Sequence, residues 1–167
     1  KIKSKNKIRL VKGSHIITKK LYKEEVAFTF QNSDKRIIFV IPYKKKFSLI
    51  GTTEVEVKSP ENSVISKQEI QYLIRSVNNY LKKQISKKDI VDTYSGIRPL
   101  IEDFKEASKV TRDYVFDLHI VKKLPLLNIY GGKLTTYRKL SEKVLLDLKK
   151  FLPKTKKGPW TDKKKLF

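Results

Sequence analysis

No cysteine occurs among the 167 residues, which excludes disulfides and thiolate chemistry. Histidine is almost as scarce: only His15 and His119 could supply an imidazole, too few for a multi-histidine metal centre. The six glycines stand at 13, 51, 96, 131, 132 and 158, and no G-x-G-x-x-G can be drawn from them. That fingerprint seats a dinucleotide pyrophosphate against a helix N-terminus, so this stretch alone cannot hold a dinucleotide in that way. Apolar runs are short, the longest compact one being residues 37–41, far below the length of a membrane helix. No signal-peptide pattern is visible.

Hydrophobic residues make up 39%, with eight Phe and eight Tyr, enough for one folded domain with a real core. The net charge of +22 would ordinarily suggest nucleic acid. Yet 33 of the 39 basic residues are lysine, scattered over the whole chain, and only six are arginine. Base-reading and bidentate phosphate sites favour arginine. The excess therefore reads mainly as a compositional bias, accompanied by abundant Ile and Asn, and no specific nucleic acid is expected. A basic module that binds nucleic acid or another polyanion is the alternative, recognisable by steep salt dependence. Scarcity makes each arginine informative.

Periodicity predicts strands at residues 8–11 and 15–18, then a hairpin from residues 24–30 and 36–41 across the turn cluster Gln31-Asn32-Ser33-Asp34. Further strands are expected at 47–50 and 53–57, with Gly51 permitting a bulge or a close approach. Residues 66–83 form the clearest helix, opened by Ser66 and Glu69 at capping-box spacing, and expected only to pack on the sheet. Strands follow at 90–98, ending at Pro99, and at 110–121 and 126–130. A last helix spans about 135–152 and stops at Pro153. Its apolar stripe of Tyr137, Leu140, Val144, Leu148 and Phe151, widened by Leu145, Leu146 and Leu152, would lie partly bare, be covered by the chain itself, or pair with another copy in a homodimer. This order predicts an α+β fold with a mainly antiparallel sheet.

The chemistry-bearing segments lie between these elements. The last strand runs into Gly131-Gly132-Lys133-Leu134-Thr135-Thr136, a glycine turn at a helix start, where free N–H groups and a lysine suit an anionic or electron-rich group. Upstream stand Gly13-Ser14-His15, Leu49-Ile50-Gly51-Thr52-Thr53, Tyr94-Ser95-Gly96-Ile97-Arg98-Pro99 and Thr111-Arg112-Asp113. In this order they resemble the FAD-dependent, quinone-reducing glycerol-3-phosphate dehydrogenases over residues 8–161. The chain looks like an internal piece of such a protein. Residues 1–125 would be its substrate-binding cap, of the D-amino acid oxidase-like type. Residues 126–153 would return to an absent FAD domain, and 154–167 would link to an absent C-terminal domain. The family usually has Asp where Glu54 stands, and often an aromatic where Asp92 stands.

The resemblance implies oxidation of sn-glycerol 3-phosphate to dihydroxyacetone phosphate, with FAD as the oxidant. It also implies electron delivery to quinone by a cytoplasmic enzyme peripheral at the inner face of the cell membrane. It implies His15 as general base, Arg98 and Arg112 as catalytic and substrate-binding residues, and Arg36 and Lys133 as further substrate contacts. Gly132, Lys133, Leu134, Thr135 and Thr136 would meet the cofactor. Without that context His15 reads as a partly buried strand histidine, Arg98 as a sheet cap, Arg112 as a partner of nearby carboxylates, and the threonines as helix caps. His119 reads as structural. The isolated chain, lacking the flavin-binding half, is expected to be inactive.

Overall fold

The computed structural model describes residues 6–102, 113–154, 158 and 160–164. These fall into two units that divide near residue 99.

The first unit is built on a sheet. Its strands are β1 (Ile8–Lys19), β2 (Phe28–Gln31), β3 (Ile37–Tyr43), β4 (Phe47–Gly51), β5 (Val55–Val57) and β6 (Ile90–Ile101). The expected strands at 8–11 and 15–18 are one continuous strand. The Lys12-Gly13-Ser14 stretch keeps the ladder because β5 pairs with residues 10–12 and β4 with residues 15–19. β2 and β3 form the expected antiparallel hairpin, with Phe28 opposite Val40. β2 starts later than expected; ahead of it the Tyr22 hydroxyl lies within hydrogen-bond reach of both the Val26 and the Val40 carbonyls, 2.8 and 2.9 Å away. β6 does not end at Pro99 but runs on to Ile101. Among the described residues it pairs only with β1, and an edge strand can carry a residue without an N–H.

One helix, α1 (Lys67–Asn78), covers one face of this sheet. The Ser66 side chain accepts from the Glu69 N–H while the Glu69 carboxylate accepts from the Ser66 N–H, completing the capping box read from the sequence. The helix stops five residues before the expected Lys83. There Asn78 instead bonds the backbone of Ile85 and bends the chain back. Leu73 and Val77 from α1 pack on Ile16, Ile38, Val40 and Ile50, all fully buried.

Strand alternation decides what lies on the other face. Ile16, Ile50 and Val40 are aligned in register toward α1. Their neighbours His15, Gly51 and Phe39 are aligned in register on the opposite side. That second face stays open: Ile37, Phe39 and Ile41 are 46%, 41% and 38% exposed.

The second unit holds a two-stranded hairpin of β7 (Tyr114–Val121) and β8 (Leu124–Gly131), joined through Lys122 and Lys123 at φ 49° and 69°. The residue-125 boundary expected from the sequence falls inside β8. A 3-10 turn at Leu134–Thr136 leads into α2 (Tyr137–Leu148), and a second such turn ends at Phe151. The helical stretch thus matches the expected 135–152. None of its α2 side chains is fully buried: Leu140, Val144 and Leu148 are half-buried, while Tyr137, Leu145 and Leu146 are exposed, so the apolar stripe lies partly bare.

Candidate functional site on the open face of the sheet

β1 and β6 bring two of the sequence-selected residues together. Arg98 reaches back across β1 so that its guanidinium lies over Gly13. A Cβ at position 13 would stand 2.4 Å from its Nη1. Its Nη2 donates to the Thr52 hydroxyl at 3.3 Å. His15 lies over its own strand partner, Gly51, where a Cβ would stand 2.1 Å from the imidazole Cδ2. Tyr94, on β6 and 61% exposed, has its ring 5.9 Å from the imidazole. Two glycines therefore act as floor tiles, letting an imidazole and a guanidinium lie low on an otherwise apolar surface.

Burial, and after it the charge of Arg98, hold the His15 pKa below its ordinary 6.5. The imidazole is therefore uncharged near neutral pH and can accept a proton. Its Nδ1 is buried and makes no hydrogen bond to the described residues. Buried polar atoms in this state are uncommon and call for an explanation.

Behind this face lies a polar network that the sequence reading missed. The buried carboxylate of Glu69 points from α1 into the sheet. Its Oε1 accepts from the Ser14 hydroxyl at 2.8 Å and from the Thr53 hydroxyl at 2.7 Å. Its Oε2 accepts from the Ser66 N–H and faces the Lys12 ammonium at 2.9 Å. Lys12 also donates to the Val64 carbonyl. The Ser95 hydroxyl donates to that of Ser14 at 2.8 Å. The Ser14 N–H donates to the Thr53 hydroxyl, and the Thr53 N–H to the Ser14 carbonyl. Burial alone would raise the Glu69 pKa. The ammonium, the amide and the two hydroxyls outweigh it and bring the carboxyl down to about 2. α1 thus does more than pack, contrary to expectation. The capping-box spacing flagged Glu69, but only for its bond to the helix start.

The other selected residues lie elsewhere. Arg36 sits at the β2–β3 turn, where its backbone N–H donates to Asp34 and its guanidinium stacks over Tyr72 of α1. It is not part of the His15–Arg98 cluster. Arg112 lies outside the described residues. In the second unit, Gly131 and Gly132 adopt φ 71° and 96°, the conformation for which glycine was expected. A Cβ at Gly131 would also meet the Asp113 carbonyl at 2.8 Å. Lys133 and Thr135 are exposed, as is Leu134 at 89%. The Thr136 hydroxyl donates to the Lys133 carbonyl at 2.9 Å, and neither Lys133 nor Thr136 makes a side-chain cap bond. The capping role expected for Thr136 is therefore absent. His119 Nε2 lies 3.0 Å from an Asp117 carboxylate oxygen within β7.

The first unit is thus an antiparallel sheet covered by a helix on one face and open on the other, with an uncharged imidazole beside a guanidinium on the open face. The FAD dependent oxidoreductase family profile matches residues 1–138. The chain belongs to that family. It is 51% identical over 141 residues to the aerobic glycerol-3-phosphate dehydrogenase of Escherichia coli, covering 83% of this chain and 28% of that protein. It is 46% identical to the glycerol-3-phosphate dehydrogenase of Pseudomonas aeruginosa, over 98% of this chain and 32% of that protein. It is 45% identical to the D-erythritol 1-phosphate dehydrogenase of Brucella abortus, over 95% of this chain and 32% of that protein. Among solved structures, the glycerol-3-phosphate dehydrogenase of Bacillus halodurans complexed with FAD is similar with a TM-score of 0.66 and 25% identity. That match covers 87% of this chain and 27% of the other. The chain thus spans about a third of the length of these curated relatives. Among the described residues, no helix is long and apolar enough to cross a membrane.

Proposed function

We propose that this chain carries the substrate half of an enzyme that oxidises the secondary alcohol of a small polyol phosphate, glycerol 3-phosphate first among them, to the ketone. The observation that carries this is the pairing of His15 with Arg98 over Gly51 and Gly13 on the open sheet face. His15, held uncharged, takes the hydroxyl proton. Arg98 supplies a fixed guanidinium whose donors match phosphate or the oxygen that becomes the carbonyl. Arg112 and Lys133 add cationic charge for the phosphate, and Arg36 is a further substrate contact from its separate place.

The cofactor has a plausible seat in the exposed glycine turn. Its backbone conformation lets a planar group approach, and Gly132, Lys133, Leu134, Thr135 and Thr136 would hold it. Bound FAD supplies the two-electron acceptor. The Lys133 ammonium would favour the negative charge that grows on reduction. Electron delivery to quinone, a peripheral position at the inner face of the cell membrane, and a homodimer through the partly exposed α2 stripe complete the assignment. The 1–125 cap, 126–153 return and 154–167 link describe how the piece joins the rest. The 167 residues alone would be colourless and inactive.

The test uses the full-length protein that contains this chain, loaded with FAD. Flavin bleaching on anaerobic addition of glycerol 3-phosphate, lost in His15→Gln and in Arg98→Gln with flavin content unchanged, is the expected result. Bleaching by erythritol 1-phosphate alone would move the substrate to the longer polyol. No bleaching by either would overturn the assignment.

A further inference from the structure

Three backbones carry the open-face groups: β1 carries His15, the segment after β4 carries Thr52, and β6 carries Tyr94 and Arg98. On the hidden side of the sheet each supplies the very next residue to one hydrogen-bond chain. Ser14 precedes His15, Thr53 follows Thr52, and Ser95 follows Tyr94. The donors run in one direction. The Ser95 hydroxyl donates to Ser14, the Ser14 hydroxyl donates to Glu69, and the Thr53 hydroxyl donates to the same Glu69 oxygen. Only an ionised carboxylate can end this chain, since one oxygen accepts two hydroxyls while the other accepts an amide and an ammonium.

We infer that Glu69 is a positioning residue for the alcohol-oxidising face: through Ser14, Thr53 and Ser95 it fixes the spacing of His15, Thr52 and the Tyr94–Arg98 strand. The inference rests on the function proposed for that face. Glu69 touches no reacting atom; it acts only through the strands. A carboxylate held between Lys12 and a helix start cannot shift without breaking the capping box, so the three strands register against a rigid point. Angstrom-scale misplacement of a proton acceptor can cost about a hundredfold in rate, which is the reason to fix it.

The experiment separates positioning from stability. In full-length, FAD-loaded protein, Thr53→Val and Ser14→Ala each remove a link on the strand side while leaving the capping box and the Lys12 pair intact. Ser66→Ala removes only the side-chain half of the cap. Thr53→Val and Ser14→Ala are expected to lower kcat about tenfold with KM changed less than threefold. Thr53→Ser restores kcat. Ser66→Ala lowers Tm but leaves both constants alone. Carbon-13 histidine labelling follows the imidazole directly: in Thr53→Val the His15 titration midpoint moves up toward 6.5 as the ring loosens. An unmoved His15 signal and unchanged kcat in Thr53→Val and Ser14→Ala would overturn the positioning role. If His15→Gln keeps full turnover, the function assigned to the face falls, and the imidazole signal alone then decides positioning.

Discussion

His15 and Gly51 are strand partners, and the imidazole occupies the space that a side chain on residue 51 would fill. A Cβ there would meet three ring atoms, at 2.1, 2.6 and 2.7 Å. Gly51→Ala should therefore expel the ring from its place. Turnover of the full-length protein is expected to fall by more than tenfold. Gly13→Ala meets only the far end of the Arg98 side chain, which can swing away, so its effect should fall mainly on KM. Steady-state kinetics of the two variants checks this difference.

The histidine should titrate below 6.5 in the folded protein, with burial as the main cause and Arg98 as the second. Arg98→Gln should therefore move the midpoint up only part of the way. The folded state prefers the uncharged ring. The stability this contributes is present above pH 6.5 and is lost as pH falls through the lower folded midpoint. Turnover should fall on the acid side over that same window. Imidazole NMR alongside a pH–rate profile tests both.

Glu69 provides the second pH handle. Its carboxyl is held at about 2 against an ordinary 4.5. Being depressed, it contributes stability in full above pH 4.5 and loses it as pH falls from there toward 2. The contribution is about 2–3 kcal/mol at neutral pH, allowing for some screening. Urea unfolding at pH 7 and pH 3 should show it. Glu69→Leu should flatten that dependence and cost about 3–5 kcal/mol, since it strands the buried Lys12 ammonium.

Leu73→Ala should cost about 2–5 kcal/mol in stability, because Leu73 is fully buried between α1 and the sheet. It lies on the side opposite the open face, so at temperatures where the variant stays folded kcat/KM should be unchanged. Denaturant melts paired with kinetics make the comparison.

The β7–β8 turn uses lysine twice at positive φ, where Asn-Gly is the favoured pair. The double change Lys122→Asn and Lys123→Gly should stabilise the hairpin by about 1 kcal/mol through relief of strain. Amide exchange of the β7 and β8 residues would report it.

The legible parts of the sequence were those governed by local rules. The continuous apolar run at residues 37–41 gave β3, Ser66 with Glu69 gave the start of α1, and paired glycines at 131 and 132 gave the sharp turn. The glycines at 13 and 51 marked the right segments, though what they make room for became visible only when the fold laid Arg98 over Gly13 and His15 over Gly51. What stayed hidden depends on partners distant in sequence. Ser14 and Glu69 are 55 residues apart, and Ser14 and Ser95 are 81 apart. Nothing in the spacing of three small hydroxyl residues foretells that they converge. Pro99 misled for a related reason: a proline stops a strand only where its missing N–H is needed, and among the described residues β6 pairs only with β1. Arg36 sits apart for the same reason: its neighbours Asp34 and Tyr72 are set by the β2–β3 turn and α1, which the sequence does not relate to one another.

The first turn of α1 shares one carboxylate with Ser14 of β1 and with Thr53, and through Ser14 it reaches Ser95 of β6. Unwinding that turn therefore withdraws the acceptor of Ser14 and Thr53, the neighbours of His15 and Thr52. Proton exchange at the Glu69 amide, which donates to the Ser66 hydroxyl, would thus serve as a clock for how often this network opens, with no substrate present.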